Sequence, residues 1–257
     1  MNNGFSLFGI DIRYYSLFIL IGVIVAYILI MRESKKQNIN TIFMDNTVFY
    51  GLLLGILGAR IHYVLFNLDY YLNNMSEIIK VWHGGLAIHG GIIAGAIFVY
   101  YYSKKNKQNF IKLTDIILPG VLIAQAIGRW GNFFNQEAYG MMVSKELLEK
   151  LFIPKFIING MYIDGNYYLP TFYIESLLCL LGFIIILLIK HKTKKVGYTT
   201  SFYLMWYGLI RFIIELFRTD SLMIGNIKIA CIISVLFILL GLLLFYYTKH
   251  KQKEYMV

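Results

Sequence analysis

The sequence predicts an all-α integral membrane protein of about seven transmembrane helices, with the N-terminus outside and the C-terminus cytoplasmic. Apolar residues make up 58% of the 257 and charged residues only 15%, too little charge to cover a water-soluble surface. The apolar residues gather in runs long enough to cross a hydrocarbon core, which takes about 20 residues of helix. Lysine and arginine cluster after alternate runs, as they do in cytoplasmic loops. The chain reads as one polytopic membrane domain over residues 1–257, with an external loop region at about 135–169. It has no separate soluble domain, low-complexity tract or clear internal repeat.

The first span is expected at 14–31. Residues 1–13 lack a basic stretch and a small-residue cleavage site, so this run reads as retained rather than as a signal peptide. Tyr14 and Tyr15 head it, where a tyrosine ordinarily anchors at headgroup depth. The second span, 47–66, contains Arg60 in GARIHYVLF. An arginine within a span snorkels, pairs between helices or serves a site.

The third span, 84–102, opens in WHGGLAIHGG. His83 and His89 are six residues apart, roughly 240° around a helix, so they point to different sides and do not suit a shared metal. His83 lies at the edge. His89 lies inside, among glycines that open space beside it, and is either a packing histidine or a functional one.

The fourth span, 116–134, runs into AIGRWGNFFNQEAYG at 126–140. An arginine at the bilayer centre costs roughly 2.5–3.5 kcal/mol on insertion scales, so Arg129 needs a partner or a task. Gly128 and Gly131 flank it and weaken the helix there. Arg129, Asn132, Asn135 and Glu137 together indicate a protein-lined polar cavity rather than a lipid-facing surface.

The fifth span, 170–189, carries Glu175, a partner for Arg60 or for another arginine, and Cys179. The sixth, 201–217, is sharper. Tyr207, Arg211, Glu215 and Arg218 stand at i, i+4, i+8 and i+11, a stripe roughly 80° wide. Arg211 and Glu215 can pair one turn apart, and Arg218 can meet Asp220. The seventh span, 229–247, holds Cys231. Two cysteines inside apolar spans form neither a disulfide framework nor a CxxC zinc site and read as buried thiols.

Fourteen of the 24 Lys and Arg follow the odd-numbered spans, Lys194 and Lys253 among them, which sets the orientation. These clusters account for the formal charge of +10 and favour an anionic leaflet. No surface interleaves basic with exposed aromatic and polar groups in the manner of a nucleic-acid binder. Spacing thus leads to a membrane protein with an arginine-bearing cavity suited to a lipid phosphate, which a planar guanidinium matches bidentately.

Five segments resemble the prolipoprotein diacylglyceryl transferase family. GRWGNFFNQEAYG at 128–140 is similar to that family's hallmark G-R-x-G-N-F-x-N-x-E-x-x-G, and YGLIRFIIELFRTD at 207–220 to its Y-G-x-x-R-F-x-x-E-x-x-R. HGGLAIHGG at 83–91, IRYYSLF at 12–18 and GARIHYVLF at 58–66 also match. The resemblance implies a multi-pass protein of the bacterial cytoplasmic (inner) membrane. It implies transfer of the diacylglyceryl group of phosphatidylglycerol to the lipobox cysteine of a preprolipoprotein, with glycerol 1-phosphate leaving. Carried over residue by residue, Arg129 and Arg211 are the essential arginines and His89 the proposed base. Tyr15, Asn132, Glu137, Gly140, Tyr207, Glu215 and Arg218 match further positions the family relies on. The implied partners are phosphatidylglycerol, the lipobox peptide and membrane lipid, with no nucleic acid, metal or cofactor.

Two departures stand out. The family usually reads P-T-x-L-Y-E-S at the fifth span, whereas this chain has PTFYIES at 170–176, with Tyr173 one place early. Ala230 and Cys231 stand where the family's last span often begins with a glutamine motif.

The implied chemistry suits these residue types. A thiol of pKa about 8.5 needs deprotonation to attack, a histidine can take the proton, and preorganised guanidiniums stabilise charge on a departing phosphate ester. An organic-anion secondary transporter would carry repeats with paired broken helices. A noncatalytic phospholipid-binding subunit would keep the arginines and need no base.

Overall fold

The computed structural model describes residues 4–7, 10–193, 195–225 and 227–251. Lys194 and Lys253, counted above with the basic clusters, lie outside the described residues. A short antiparallel hairpin, β1 (Gly4–Leu7) and β2 (Ile10–Arg13), leads into α1 (Tyr14–Lys36). Then come α2 (Thr41–Leu65), α3 (Leu68–Asn73), two 3₁₀ turns (Met75–Ile79, Val81–His83), α4 (Ile88–Lys105) and α5 (Phe110–Asn135). The segment between α5 and the next long helix holds β3 (Met142–Val143), α6 (Lys145–Lys150), α7 (Lys155–Gly160), β4 (Tyr162–Ile163) and β5 (Asn166–Tyr168). The chain closes with α8 (Thr171–Lys192), α9 (Tyr198–Phe217), β6 (Met223–Ile224), β7 (Ile227–Lys228) and α10 (Ile229–Lys251).

Among the described residues, six helices are long and apolar enough to cross a membrane: α1, α2, α5, α8, α9 and α10. The chain is therefore a mostly helical, multi-pass membrane protein. The third expected span corresponds to α4, an 18-residue helix that starts at Ile88 rather than residue 84. Gly84 and Gly85 have φ of +88° and +74°, left-handed values that exclude a right-handed helix start there. α2 and α5 each begin six residues before the expected span, and α9 three before. Asn40 caps α2 by accepting from the Phe43 N–H at 3.0 Å. α5 runs unbroken through Pro119. The proline has no N–H for the carbonyl one turn back, and Lys190 Nζ donates to that carbonyl, Asp115 O, at 3.4 Å.

The chain divides into two compact units: residues 1–30 with 114–257, and residues 31–113. In the second unit, α2 and α4 meet through glycine. A Cβ on Gly58 would strike Ala94 and the Gly90 carbonyl, so only small residues permit this approach.

In the first unit, the backbones of α9 and α10 approach closely at Gly208, with the Ser234 carbonyl 2.8 Å from where a Gly208 Cβ would sit. The N-terminus of α9 is tied to α5 by Asp115. Its carboxylate accepts from the Gly197 N–H at 2.6 Å and from the Thr200 N–H at 2.7 Å, satisfying donors the helix start leaves open. Residues 136–170 fold into a small layer. β5 pairs with both β3 and β4, and Leu148, Ile153, Ile157, Ile158 and Met161 bury against Phe133 of α5 and Phe172 of α8.

Candidate functional site

Three helices of the first unit bring charged side chains together. α5 supplies Arg129, α8 supplies Glu175 and α9 supplies Tyr207, Arg211 and Glu215. Glu175 is 2% exposed and lies between the two arginines. Its Oε1 is 2.8 Å from Arg129 Nη2, and its Oε2 accepts from Arg211 Nη1 at 3.4 Å. Arg211 Nη2 donates to Glu215 Oε2 at 2.7 Å, the one-turn pair the spacing predicts. Arg129 Nη2 also reaches the Tyr207 hydroxyl at 3.5 Å.

Two half-buried guanidiniums and two buried carboxylates thus form a network whose formal charges balance. Taking charges out of water costs several kcal/mol each, and pairing offsets it. The Arg129–Glu175 contact is an ion pair without hydrogen-bond alignment, so Glu175 Oε1 still has an unused acceptor direction. Each guanidinium carries five N–H donors, and only part of each set is used within this network.

The glycines of the signature have distinct surroundings. A Cβ on Gly131 would lie 2.9 Å from the Tyr15 ring and 3.1 Å from its Cα, so Gly131 lets the first turn of α1 approach α5. That contact brings Tyr15 within electrostatic reach of Glu137 and Arg129. Among the described residues nothing packs within 4 Å of the Cβ position at Gly128, so α5 is open there. The helix runs continuously through both glycines to Asn135.

Beyond the helix end, Asn132 Nδ2 donates to Glu137 Oε1 at 2.9 Å. Gly140 donates its N–H to Leu169 O at 2.9 Å and forms an isolated antiparallel bridge with Arg218. The signature's last glycine is therefore joined to the end of α9. Arg218 holds Asp220 through two bonds of 2.9 Å. Burial raises the Asp220 carboxyl, but the hydrogen bonds and charge of Arg218 outweigh this and hold it below the ordinary range. Lys228 Nζ donates to the carbonyls of Glu215 at 2.6 Å and Arg218 at 2.8 Å.

His89 lies in the first turn of α4, in the second unit. His83 is outside the helix, with Nδ1 2.7 Å from Glu77 Oε2. Glu175, open in the sequence to Arg60 or another arginine, pairs with Arg129 and Arg211. Arg60 donates instead to the carbonyls of Ile78 at 2.9 Å, Gly84 at 2.6 Å and Glu77 at 2.5 Å, and its guanidinium lies over Tyr71. It organises the turn between α2 and α4. Cys179 is buried, Cys231 half-buried, and both are free thiols. Tyr173 packs on Trp130 with centroids 6.2 Å apart.

Sequence reasoning left Glu175 as an unassigned partner and missed three other groups. Lys228 sits in a two-residue strand without periodicity. Trp130 donates to Ser176 at 3.2 Å, and Ser176 donates to Ala126 O at 2.8 Å, a pairing set by helix rotation. Gln125 Nε2 donates to the Tyr203 hydroxyl at 3.1 Å. Gln125 stands four residues before Arg129 and Tyr203 four before Tyr207, and that shared spacing was the available signal. Among the described residues, no group of three or more His, Cys, Asp or Glu forms a metal site.

The family model for prolipoprotein diacylglyceryl transferase matches residues 3–247. The chain belongs to that family. Its relatives include proteins named phosphatidylglycerol–prolipoprotein diacylglyceryl transferase. One from Staphylococcus aureus strain MSSA476 is 44% identical over 96% of this chain and 88% of its own length. One from Listeria innocua is 42% identical over 95% and 88%, and one from Staphylococcus carnosus is 42% identical over 97% and 90%.

Proposed function

We propose that this chain transfers the diacylglyceryl group of phosphatidylglycerol to the lipobox cysteine thiol of a preprolipoprotein. Family membership and the names of its relatives support the activity and substrates. The observation that carries the site is the pairing of Arg129 and Arg211 across a single buried carboxylate, Glu175. Two guanidiniums held at a fixed separation, each with unused N–H donors, suit one phosphate between them.

The thiolate sulfur attacks the glycerol carbon that carries the phosphate. A carbon–sulfur bond forms, the carbon–oxygen bond breaks, and glycerol 1-phosphate leaves with the electron pair. His89 is the proposed acceptor of the thiol proton, on the strength of the family resemblance. Arg129 and Arg211 stabilise the charge that grows on the leaving group. Because Glu175 and Glu215 already balance the arginines at rest, the network gains most when that charge develops. This is the condition for lowering a barrier rather than tightening ground-state binding. Tyr15, Asn132, Glu137, Gly140, Tyr207 and Arg218 complete the substrate-binding set.

The protein is further proposed to cross the bacterial cytoplasmic membrane seven times, with α4 as the third span and the N-terminus outside. The lysine clusters support that orientation, and an 18-residue helix lies within the range for a span. The layer at 136–170 then faces outward, where a lipobox emerges. The test is reconstitution with phosphatidylglycerol and a lipobox peptide. Thioether formation with release of glycerol 1-phosphate is expected. Binding of lipid without transfer, or movement of an organic anion across the bilayer, would refute it.

A further inference from the structure

Gln125, Gly128, Arg129 and Asn132 lie on one face of α5, within about 100° of arc. That face is open at Gly128, where among the described residues nothing packs within 4 Å of the Cβ position. At its outer end Asn132 binds Glu137 at 2.9 Å, in the middle is Arg129, and nearer the helix centre is Gln125. The Gln125 amide is fixed but incompletely used. One Nε2 proton goes to Tyr203 at 3.1 Å, and Tyr203 is held against Tyr207 by ring stacking at 5.7 Å. Its Oε1 is enclosed and has no hydrogen-bond partner among the described residues. An unsatisfied buried acceptor carries a penalty that apolar packing of the same volume would avoid. The second Nε2 proton has no acceptor among the described residues. An amide held this way, one turn from the arginine pair, has the character of a recognition group.

We propose that Gln125 recognises an acyl ester carbonyl of the phospholipid and makes the site selective for diacyl over dialkyl glycerophospholipids. The inference rests on the transferase reading above. With the phosphate at Arg129 and Arg211, the glycerol backbone runs from the phosphate toward the acyl chains, which is toward the centre of α5. The ester carbonyls follow the phosphate by a few bonds. Gln125 lies four residues before Arg129, about 6 Å along the axis toward the middle of α5. The donor left on Nε2 meets the acceptor that the ester supplies. An ether linkage keeps the lipid's length and charge but replaces that carbonyl with a methylene. The arginine pair reads the phosphate alone and does not distinguish the two lipids.

The experiment compares phosphatidylglycerol with its 1,2-di-O-alkyl analogue as donors to a lipobox peptide, using the full chain in detergent micelles. Wild type is expected to favour the diester about fivefold in kcat/KM, the value of one neutral hydrogen bond. Gln125→Met keeps the volume and removes the donor. It is expected to use both lipids at the wild-type diether rate, so the preference disappears. A merely structural role would lower both rates and keep their ratio. Equal use of the two lipids by wild type overturns the proposal even if the variant does not fold, as does an unchanged ratio in Gln125→Met. Failure of wild type to transfer from the diester would instead refute the transferase reading beneath it.

Discussion

Arg129 is where the arrangement of single residues has the sharpest consequence. Its guanidinium has to satisfy Glu175 and Tyr207 at once and still offer donors to a phosphate. Arg129→Ala is expected to abolish transfer in reconstituted membranes while the protein remains inserted. Arg129→Lys is expected to stay well below wild type, because one ammonium cannot reproduce the planar fork. Wild-type turnover by the alanine variant would remove Arg129 from phosphate binding. His89 gives a separate test. As a general base its loss slows transfer by roughly 10²–10⁴-fold, so His89→Gln is expected to fall by that amount at neutral pH and His83→Gln by much less. Intact specific activity and an unchanged pH profile in purified His89→Gln would assign the proton to another group.

At the scale of elements, the two ends of α9 are fixed by different means. Asp115 binds N–H groups at its start, and Lys228 binds the Glu215 carbonyl of its last turn and the Arg218 carbonyl just past it. A cation at a helix C-terminus contributes about 0.3–1 kcal/mol at exposed sites and up to about 2 kcal/mol when partly buried. Lys228→Met is expected to lower thermal stability within that range. It is also expected to speed amide exchange over the last turn of α9, where Glu215 holds Arg211. Unchanged exchange at residues 213–218 would show that β6 and β7 fix the helix end unaided.

These elements also show what the sequence made legible. The stripe on α9 could be read because both members of the Arg211–Glu215 pair lie on one helix, so spacing alone decides their contact. Glu175 could not be assigned because its partners lie on α5 and α9, and the choice depends on how three helices are rotated. The start of α4 was misread because glycine is neutral in hydropathy, so Gly84 and Gly85 extend an apolar run that their left-handed φ values interrupt. Residues 136–170 gave no pattern because α6 and α7 are six residues each, too short for a helical period to show.

At the scale of the whole molecule, the proposed orientation rests on lysine placement, and the proposed depth of the site rests on that orientation. Arg129 lies six residues before the end of α5, and Arg211 six before the end of α9. Both helices run from ends near lysine clusters toward the side that holds residues 136–170. The arginine pair is therefore nearer the outer face when the N-terminus is outside, within reach of the outer-leaflet headgroups and of a lipobox. A reporter fused after Lys251 is expected to be active in the cytoplasm, and one inserted within residues 146–154 only outside. Single-cysteine labelling at Phe152, 92% exposed, provides a check without a fusion, in a chain whose Cys179 and Cys231 are replaced by alanine. An impermeant maleimide is expected to react with Phe152→Cys in intact cells. Labelling only after permeabilisation would invert the topology. It would put the arginine pair near the cytoplasmic face, where an exported lipobox thiol does not arrive, and the proposed reaction would lose its acceptor.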